Sequence, residues 1–487
     1  MGRPPVSRPH PPLTPTLTSH PRTAGETIEP VIVQQTADAD LASALGVANV
    51  EAAAERIAGA VACTPLEACP RLSADTGAQI YLKREDLQTV RSYKIRGAYN
   101  VMAQLSDEEL AKGVVAASAG NHAQGVAYAC RSMKVHGRIY VPTTTPKQKR
   151  DRIRWHGGEF VELLAVGDTY DAAAAAAQTD VMRTGAAWIH AFDDVRTAAG
   201  QGTIAREIVD QLGTVPDYVI APVGGGGCLA GVAAYLRAIS DELTIVGVEP
   251  TGAVSLAAAL ATGGPYTLDT IDPFVDGAAV KRIGSLGYRV MAGMGASVSE
   301  HPVLDGIGIT SGVEVKPAGP VSLPAGAAHI THVDEGAICS AMLALYQNEG
   351  IIAEPAGALA VTGLSELDIP AGATVVCLVS GGNNDVSRYG EIIERSLVHQ
   401  GLKHYFLVHF PQEPGALRRF LDEVLGPDDD ITLFEYVKRN NRETGAALVG
   451  VQLGEPAGLA GLMDRMSRSR LSCERLEPGT PAYDYLT

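Results

Sequence analysis

Four short segments of this chain carry residue types that can do chemistry, and each stands where an apolar run gives way to a turn. The first is Arg91-Ser92-Tyr93-Lys94-Ile95-Arg96-Gly97-Ala98, which follows the strand-like IYLKRED. A solitary lysine is most often a solvated surface charge. At the carboxyl end of a strand in an open α/β sheet it instead projects into the crevice where such sheets bind ligands. Desolvation there removes its proton, and the neutral amine can form a Schiff base with an aldehyde. The second segment is Ser118-Ala119-Gly120-Asn121-His122-Ala123-Gln124-Gly125, between a strand and a helix. Backbone N–H groups at a helix N-terminus suit a carboxylate, and Asn121 can donate to a phenolic oxygen; an ordinary turn is the plainer reading. The third, Gly224, Gly225, Gly226 and Gly227 after YVIAPV, offers consecutive unhindered N–H groups suited to a phosphate. A merely flexible turn is the alternative, weakened because a helical pattern resumes at once. The fourth, Ser380-Gly381-Gly382-Asn383-Asn384-Asp385, follows ATVVCLV. Ser380 either caps the next helix or exchanges a hydrogen bond with a ring nitrogen.

Those turns need elements to hold them. From about Ala111 a short apolar run, a glycine-bearing turn and a helical stretch repeat. GVVAAS precedes AGNHAQGVAYACRSM, GRIYVP precedes TPKQKRDRIRWHGG, and EFVELLA precedes DTYDAAAAAAQTDVM. YVIAPV precedes GGGGCLAGVAAYLRAI, and TIVGVEP precedes GAVSLAAALATGG. Parallel strands need crossover connections, usually helices, so the alternation predicts an α/β fold with a parallel sheet wrapped by helices. ATVVCLVS and VSRYGEIIERSLVHQG form the last such unit. After Gly401 the order becomes HYFLVHF, PGALRRFLDEVLG, ITLFEYVKR, TGAALVGVQL and GLAGLMDRMSRS. This β-α-β-β-α succession predicts a separate small α+β domain starting at residue 402. Residues 291–330, with repeated Gly and Pro and no clear period, read as a long surface loop.

A length of 487 residues sets an expectation of two to four domains. Net charge is −16, from 39 basic and 55 acidic side chains, which argues against nucleic acid as a partner and favours a small molecule. No apolar stretch is long enough to cross a bilayer, so no membrane partner is expected. The seven cysteines (Cys63, Cys69, Cys130, Cys228, Cys339, Cys377, Cys473) are scattered and form no CxxC pair. That pattern suits reduced thiols in the cytoplasm rather than disulfides or a zinc site. The first thirty residues, rich in Pro, Ser, Thr and Arg and without an apolar secretory core, place a disordered tail over residues 1–40.

In this order, RSYKIRGA, SAGNHAQG, GGGG, EPAGALAV and SGGNND resemble the biosynthetic threonine dehydratases (threonine ammonia-lyases) of the tryptophan-synthase-β-like pyridoxal-phosphate family. The resemblance runs over roughly residues 50–487. It implies pyridoxal 5'-phosphate (PLP) as cofactor and a two-domain, fold type II core over residues 41–401, with a smaller subdomain at about 90–190 inserted in the larger. It implies an ACT-like regulatory domain over residues 402–487. Lys94 would be the Schiff-base lysine, Asn121 would lie beside the cofactor's 3-hydroxyl, and Gly224 through Gly227 would hold its phosphate. Ser380 would face the ring nitrogen, and Ser118, Ala119, Gly120, Asn121 and His122 would bind the substrate carboxylate. The implied reaction takes water and ammonia from L-threonine to leave 2-oxobutanoate, the first step of isoleucine biosynthesis. Isoleucine, with valine as a second candidate, is the implied effector, Tyr436 a candidate contact for it, and a homo-oligomer (tetramer or dimer) the implied assembly.

Lys94 is suited to take the α-proton, with His122 as a weaker competitor for that role. A neutral Ser380 at the ring nitrogen makes a weaker electron sink than a carboxylate would, which favours elimination over transamination. The cofactor phosphate is the preferred acid for the leaving hydroxyl. Glu354 in EPAGALAV either faces the ring or starts a helix. Serine racemases of the same family place a second serine where this chain has Ala119, so dehydration without racemisation is expected. Glu249 matches one member of a carboxylate pair that binds a divalent cation in some relatives, but Ser255 stands where the other belongs, and no essential metal is expected. The 291–330 stretch exceeds the family pattern by roughly twenty-five residues. Other readings are a serine/threonine dehydratase of catabolic type, a β-replacement synthase of the same fold, and a non-enzymatic amino-acid sensor. The C-terminal domain argues against the synthase, and the intact Lys94, Asn121, glycine run and Ser380 argue against the sensor.

Overall fold

The computed structural model describes residues 45–436, 443–477, 480 and 483. The tail expected at residues 1–40 and the end of the ITLFEYVKR run at 437–439 lie outside the described residues. β1 (Leu66–Ala68) and β2 (Gln79–Arg84) open a larger sheet. The chain then leaves to build a smaller one from β3 (Val114–Ala117), β4 (Gly137–Val141), β5 (Val161–Ala165) and β6 (Ala187–Trp188). It returns with β7 (Tyr218–Pro222), β8 (Thr244–Pro250), β9 (Ser297–Ser299), β10 (Val315–Lys316), β11 (Ala328–Val333) and β12 (Thr374–Val379).

Among the described residues the larger sheet runs β1-β2-β12-β7-β8-β11-β9-β10 and the smaller β5-β4-β3-β6. All pairings in both are parallel except β1 with β2. Every residue of β7 and β8 is buried, as expected of strands covered by helices on both faces. One apolar layer on the larger sheet gathers Ile80, Leu82, Ile220, Val246 and Val375, and the other gathers Val219, Leu229, Ile245, Val376 and Leu378. Alternate residues along β7, β8 and β12 thus serve opposite layers.

This order decides where the chemistry falls. β2, β12 and β7 are neighbours, with Arg84 level with Val379 and Cys377 level with Ile220. The segments of Lys94, Ser380 and Gly224 therefore leave the carboxyl ends of three adjacent strands, while Ser118 leaves that of β3 in the smaller sheet. Helix Lys94–Met102 is wedged between two others. A Cβ on Gly200 of helix Val195–Leu212 would lie 2.8 Å from Arg96 O, and one on Gly125 of helix Asn121–Met133 would lie 3.1 Å from Lys94 O.

The stretch 291–330 is not the structureless loop that its composition suggested. It holds the end of helix Ser285–Gly293, strand β9, helix Pro302–Ile307 and strand β10, and so forms the far edge of the larger sheet. β9 and β10 have three and two residues, too short for a period to declare itself. Past Thr310 the chain caps helix Ser255–Thr262, with the N–H groups of Thr310 and Ser311 donating to Ala261 O at 2.9 and 3.1 Å.

The C-terminal region forms an antiparallel sheet ordered β14-β15-β13-β16, from β13 (Lys403–Pro411), β14 (Asp430–Tyr436), β15 (Thr444–Gln452) and β16 (Ser472–Leu476). Helices Ala416–Glu423 and Gly458–Arg468 bury Phe406, Val408, Phe410, Val449 and Val451 beneath Phe420, Leu462 and Met466. The order is β-α-β-β-α-β, so the sequence reading missed the last strand. SCERL lacks the β-branched and aromatic residues that mark a strand.

Candidate active site

Lys94 opens its helix, and its Nζ donates to Ala191 O at 3.1 Å. Burial pushes the ammonium down to about 8, against the opposing pull of the Cys228 and Glu354 side chains nearby. A lysine in that range is neutral in a useful fraction at physiological pH, as a nucleophile and base must be. Tyr93 N–H donates to Ser380 O at 3.1 Å and Ser92 bridges to Gly381, so the first and fourth segments form one wall.

The third segment lies close enough to Lys94 for Cys228, the residue after Gly227, to act on its charge. Gly226 has φ 83° and stands as the N-cap of helix Gly227–Ile239 with no side-chain cap. Its neighbours are glycines for want of space. A Cβ on Gly225 would fall 2.2 Å from the Phe192 ring, and one on Gly227 would fall 2.5 Å from Phe192 O. The helix start therefore presents bare N–H groups, which favours an anion there.

Asn121, first residue of its helix, reaches across to the larger sheet. Its Nδ2 donates to Glu354 Oε1 at 2.6 Å and its Oδ1 accepts from Asn383 Nδ2 at 2.8 Å. Glu354 is the N-cap of helix Pro355–Thr362, and its carboxyl accepts from Asn121 rather than from its own helix. Burial raises it to about 7, with Asp276 adding to the rise. Gly120 caps the Asn121 helix without a side-chain hydrogen bond, and Ser118 Oγ accepts from Gly120 N–H at 3.2 Å. Ala119 lies in this turn as well. His122 is buried with its Nε2 on Ile189 O at 2.8 Å, and desolvation lowers it to about 3. A carbonyl only accepts, so Nε2 carries the proton and donates, and the ring is a poor base.

Ser380 caps no helix. Its Oγ donates to Ala356 O at 3.1 Å from a fully enclosed position, within one turn of Glu354. Glu249 spends its oxygens on the N–H groups of Leu256 and Ala257, at 2.7 and 3.0 Å, beside Ser255. Tyr436 lies apart from all of these, at the end of β14, with its ring centroid 6.2 Å from that of Phe410.

Arg96, within the Lys94 motif, has a role that the sequence alone does not reveal. It forks to Glu85 at 2.7 and 2.8 Å and to Glu207 at 2.7 and 2.8 Å, while Lys83 reaches Glu207 at 2.6 Å. Two cations and two carboxylates thus neutralise one another beneath the turn that carries Lys94. A sequence offers no sign that these charges share a site, because they come from β2, the turn after it and two helices.

The arrangement fits PLP. An amine of lowered basicity suits its aldehyde, the uncapped Gly227 helix start suits its phosphate, and the Ser92 hydroxyl is buried with no partner.

Comparison with known proteins agrees with this fit. Residues 57–381 match the family described as pyridoxal-phosphate dependent enzymes, and residues 394–486 match the C-terminal regulatory domain of threonine dehydratase. The biosynthetic L-threonine dehydratase of Mycobacterium tuberculosis is 63 % identical over 439 residues, 90 % of this chain and 95 % of that protein. That of Corynebacterium glutamicum is 58 % identical over 443 residues, again 90 % and 95 %. Among solved structures, the processed form of threonine deaminase isoform 2 from Solanum lycopersicum superimposes with a TM-score of 0.62 at 34 % identity, covering 74 % of this chain and 94 % of that one.

Proposed function

This chain belongs to the pyridoxal-phosphate-dependent enzymes, and on that premise we propose that it is a threonine ammonia-lyase, converting L-threonine to 2-oxobutanoate and ammonia as the entry to isoleucine biosynthesis. The observation that carries this reading is that the segments of Lys94, Ser380 and the glycine run leave the carboxyl ends of three adjacent strands, with the Lys94 amine buried and lowered in basicity. PLP held there would supply an electron sink for the substrate's α-carbon.

The chain's own groups divide the remaining work. Lys94 Nζ takes the α-proton, for which its lowered basicity fits it. The N–H groups from Gly224 to Gly227 hold the phosphate, and those at the start of helix Asn121–Met133, with Ser118, Ala119, Gly120 and His122 around them, orient the substrate carboxylate. The Asn121 amide, fixed at both ends, is available to the 3-hydroxyl, and the Ser380 hydroxyl, on turning its proton away from Ala356 O, can donate to the ring nitrogen without charging it. His122, neutral and tied to Ile189, shapes the carboxylate site and moves no proton.

The catalytic core is read as residues 41–401 and the regulatory domain as residues 402–487, with the smaller subdomain at about 90–190 within the core. Isoleucine is the proposed effector, supported by the match of residues 394–486 to a threonine dehydratase regulatory domain. Valine is a second candidate, and Tyr436 a contact. Family membership likewise supports a homo-oligomer and a cytoplasmic setting; no helix among the described residues is long and apolar enough to cross a membrane.

Steady-state kinetics on threonine, with and without isoleucine, test this for the full chain and for one ending at residue 401. The expected result is 2-oxobutanoate release by both, with inhibition only of the full chain. Absence of 2-oxobutanoate from the PLP-loaded full chain would overturn the enzymatic reading. Undiminished inhibition of the shortened chain would overturn the regulatory one.

A further inference from the structure

A short stretch of chain, Asp272 to Ala278, touches the glycine loop on one side and, on the other, the helix that leads into the C-terminal sheet. On the inner side a Cβ on Gly224 would fall 2.9 Å from Ala278 Cα and 3.1 Å from Gly277 O. A Cβ on Gly277 would meet Ala356 Cβ at 2.8 Å and Glu354 Oε1 at 3.9 Å. Asp276 pairs with Lys149 of helix Lys147–Gly157, which belongs to the smaller sheet. Packing this close leaves no slack, so a shift of the stretch moves the phosphate loop and the Glu354 carboxyl with it.

On the outer side Phe274 is buried, and two guanidinium groups lie over its ring, Arg388 at 4.6 Å and Arg395 at 4.3 Å from the centroid. Arg388 also donates to Phe274 O at 2.9 Å, and Arg395 lies 3.6 Å from Asp272 Oδ2. Two cations on one ring repel, and Glu391 offsets this by accepting from Arg395 at 3.1 Å and lying 3.5 Å from Arg388. Arg388 stands at the N-cap of helix Tyr389–His399 and Arg395 lies within it. Glu394 of the same helix pairs with Lys403 and hydrogen-bonds Tyr405, both on β13 of the C-terminal sheet.

We propose that Arg388 and Arg395 are positioning residues acting through Phe274: they press Asp272–Ala278 against the glycine loop and Glu354, and Glu394 ties that grip to the state of the C-terminal sheet. The second half rests on the regulatory reading above. A helix gripped by Phe274 at its N-cap and by β13 at its middle is a rigid connector, so an amino acid that draws β13 into a new position turns Arg388 and Arg395 on their ring. The glycine loop then loosens with no contact between effector and cofactor.

The test uses the full chain, stripped of cofactor and titrated with PLP, with binding followed by visible absorbance. Arg395→Gln should weaken PLP binding about threefold, and Arg388→Gln with Arg395→Gln about tenfold. Arg395→Lys should recover part of the loss, and the melting temperature of the cofactor-free protein should stay close to that of the parent. Phe274→Leu should match the double variant; if it fails to fold, the arginine variants decide alone. Unchanged PLP affinity in the double arginine variant overturns the positioning role. Glu394→Gln should leave PLP affinity and uninhibited turnover within about twofold of the parent, and raise the isoleucine concentration for half inhibition about tenfold or more. If the parent is inhibited and Glu394→Gln equally so, the tie through Glu394 is overturned while the regulatory reading stands. If the parent is not inhibited at all, both fall, and the PLP affinities still decide the role of the arginines.

Discussion

Asn121 and Glu354, 233 residues apart in the chain, meet at 2.6 Å and join the smaller sheet's first helix to the larger sheet's EPAGALAV helix. The contact fixes the Asn121 amide with its oxygen toward Asn383, and it holds a buried carboxyl that pairs with no cation among the described residues.

That carboxyl makes the cofactor-free protein's stability depend on pH. Glu354 titrates near 7 in the folded chain against an ordinary value of 4.5. A raised acid favours folding at low pH and loses that contribution as pH climbs from the unfolded value through the folded one. Glu354→Gln removes the penalty, so the variant should be the more stable by up to about 3 kcal/mol at pH 8 and no more stable at pH 4. Thermal melts at the two pH values check this, and an equal gain at both would sink the assignment.

Lys94→Ala should abolish turnover, since no other group is placed both to tether the cofactor and to take the α-proton. In the parent protein, capture of PLP by the cofactor-free chain should accelerate about tenfold between pH 7 and pH 9, because the neutral amine attacks the aldehyde and titrates at about 8. Stopped-flow absorbance reads the rate; a rise that continues unabated through pH 10 would mean an ordinary, solvated lysine.

Ser380→Asp replaces a neutral partner of the ring nitrogen with an anion. A protonated ring is the stronger electron sink, so pyridoxamine phosphate should accumulate faster relative to 2-oxobutanoate than in the parent. Chromatography of cofactor released after many turnovers measures the ratio. An unaltered ratio with normal PLP content argues that Ser380 does not meet the ring nitrogen.

The buried charges under Lys94 should behave as a unit. Glu207→Gln leaves Arg96 and Lys83 short of a counter-charge and should cost about 3 to 5 kcal/mol in denaturant unfolding. The double change Glu207→Gln with Lys83→Met should cost less than the sum of the two single changes, because each removes part of the other's penalty.

What the sequence made legible follows from how local each signal is. The glycine run, the alternation of strand and helix, and the Lys94 motif are contained in stretches of ten to twenty residues, and pattern reads them directly. Glu354 stayed ambiguous because its partner, Asn121, comes from the other sheet. Arg96 stayed without a task because Glu85 and Glu207 lie on different elements. The 291–330 stretch misled because β9 and β10 are shorter than the period that would reveal them, and β16 was hidden by its polar composition. Phe274 gave no sign at all, since a ring between a proline and a valine is indistinguishable in sequence from any core aromatic.

The departure of the chain after β2 and its late return has a consequence in time. β2 has β12 as its parallel neighbour, with Arg84 level with Val379, and all of β3 to β11 are made between them. A ribosome that has delivered Lys94 must add roughly 300 more residues before the strand carrying Ser380 can dock, on the order of tens of seconds of synthesis. The smaller sheet, complete by Trp188 and provided with its own apolar core, can fold in that interval. IYLKR meanwhile waits with one edge of β2 unpaired, the kind of surface on which nascent chains stick to one another or recruit chaperones.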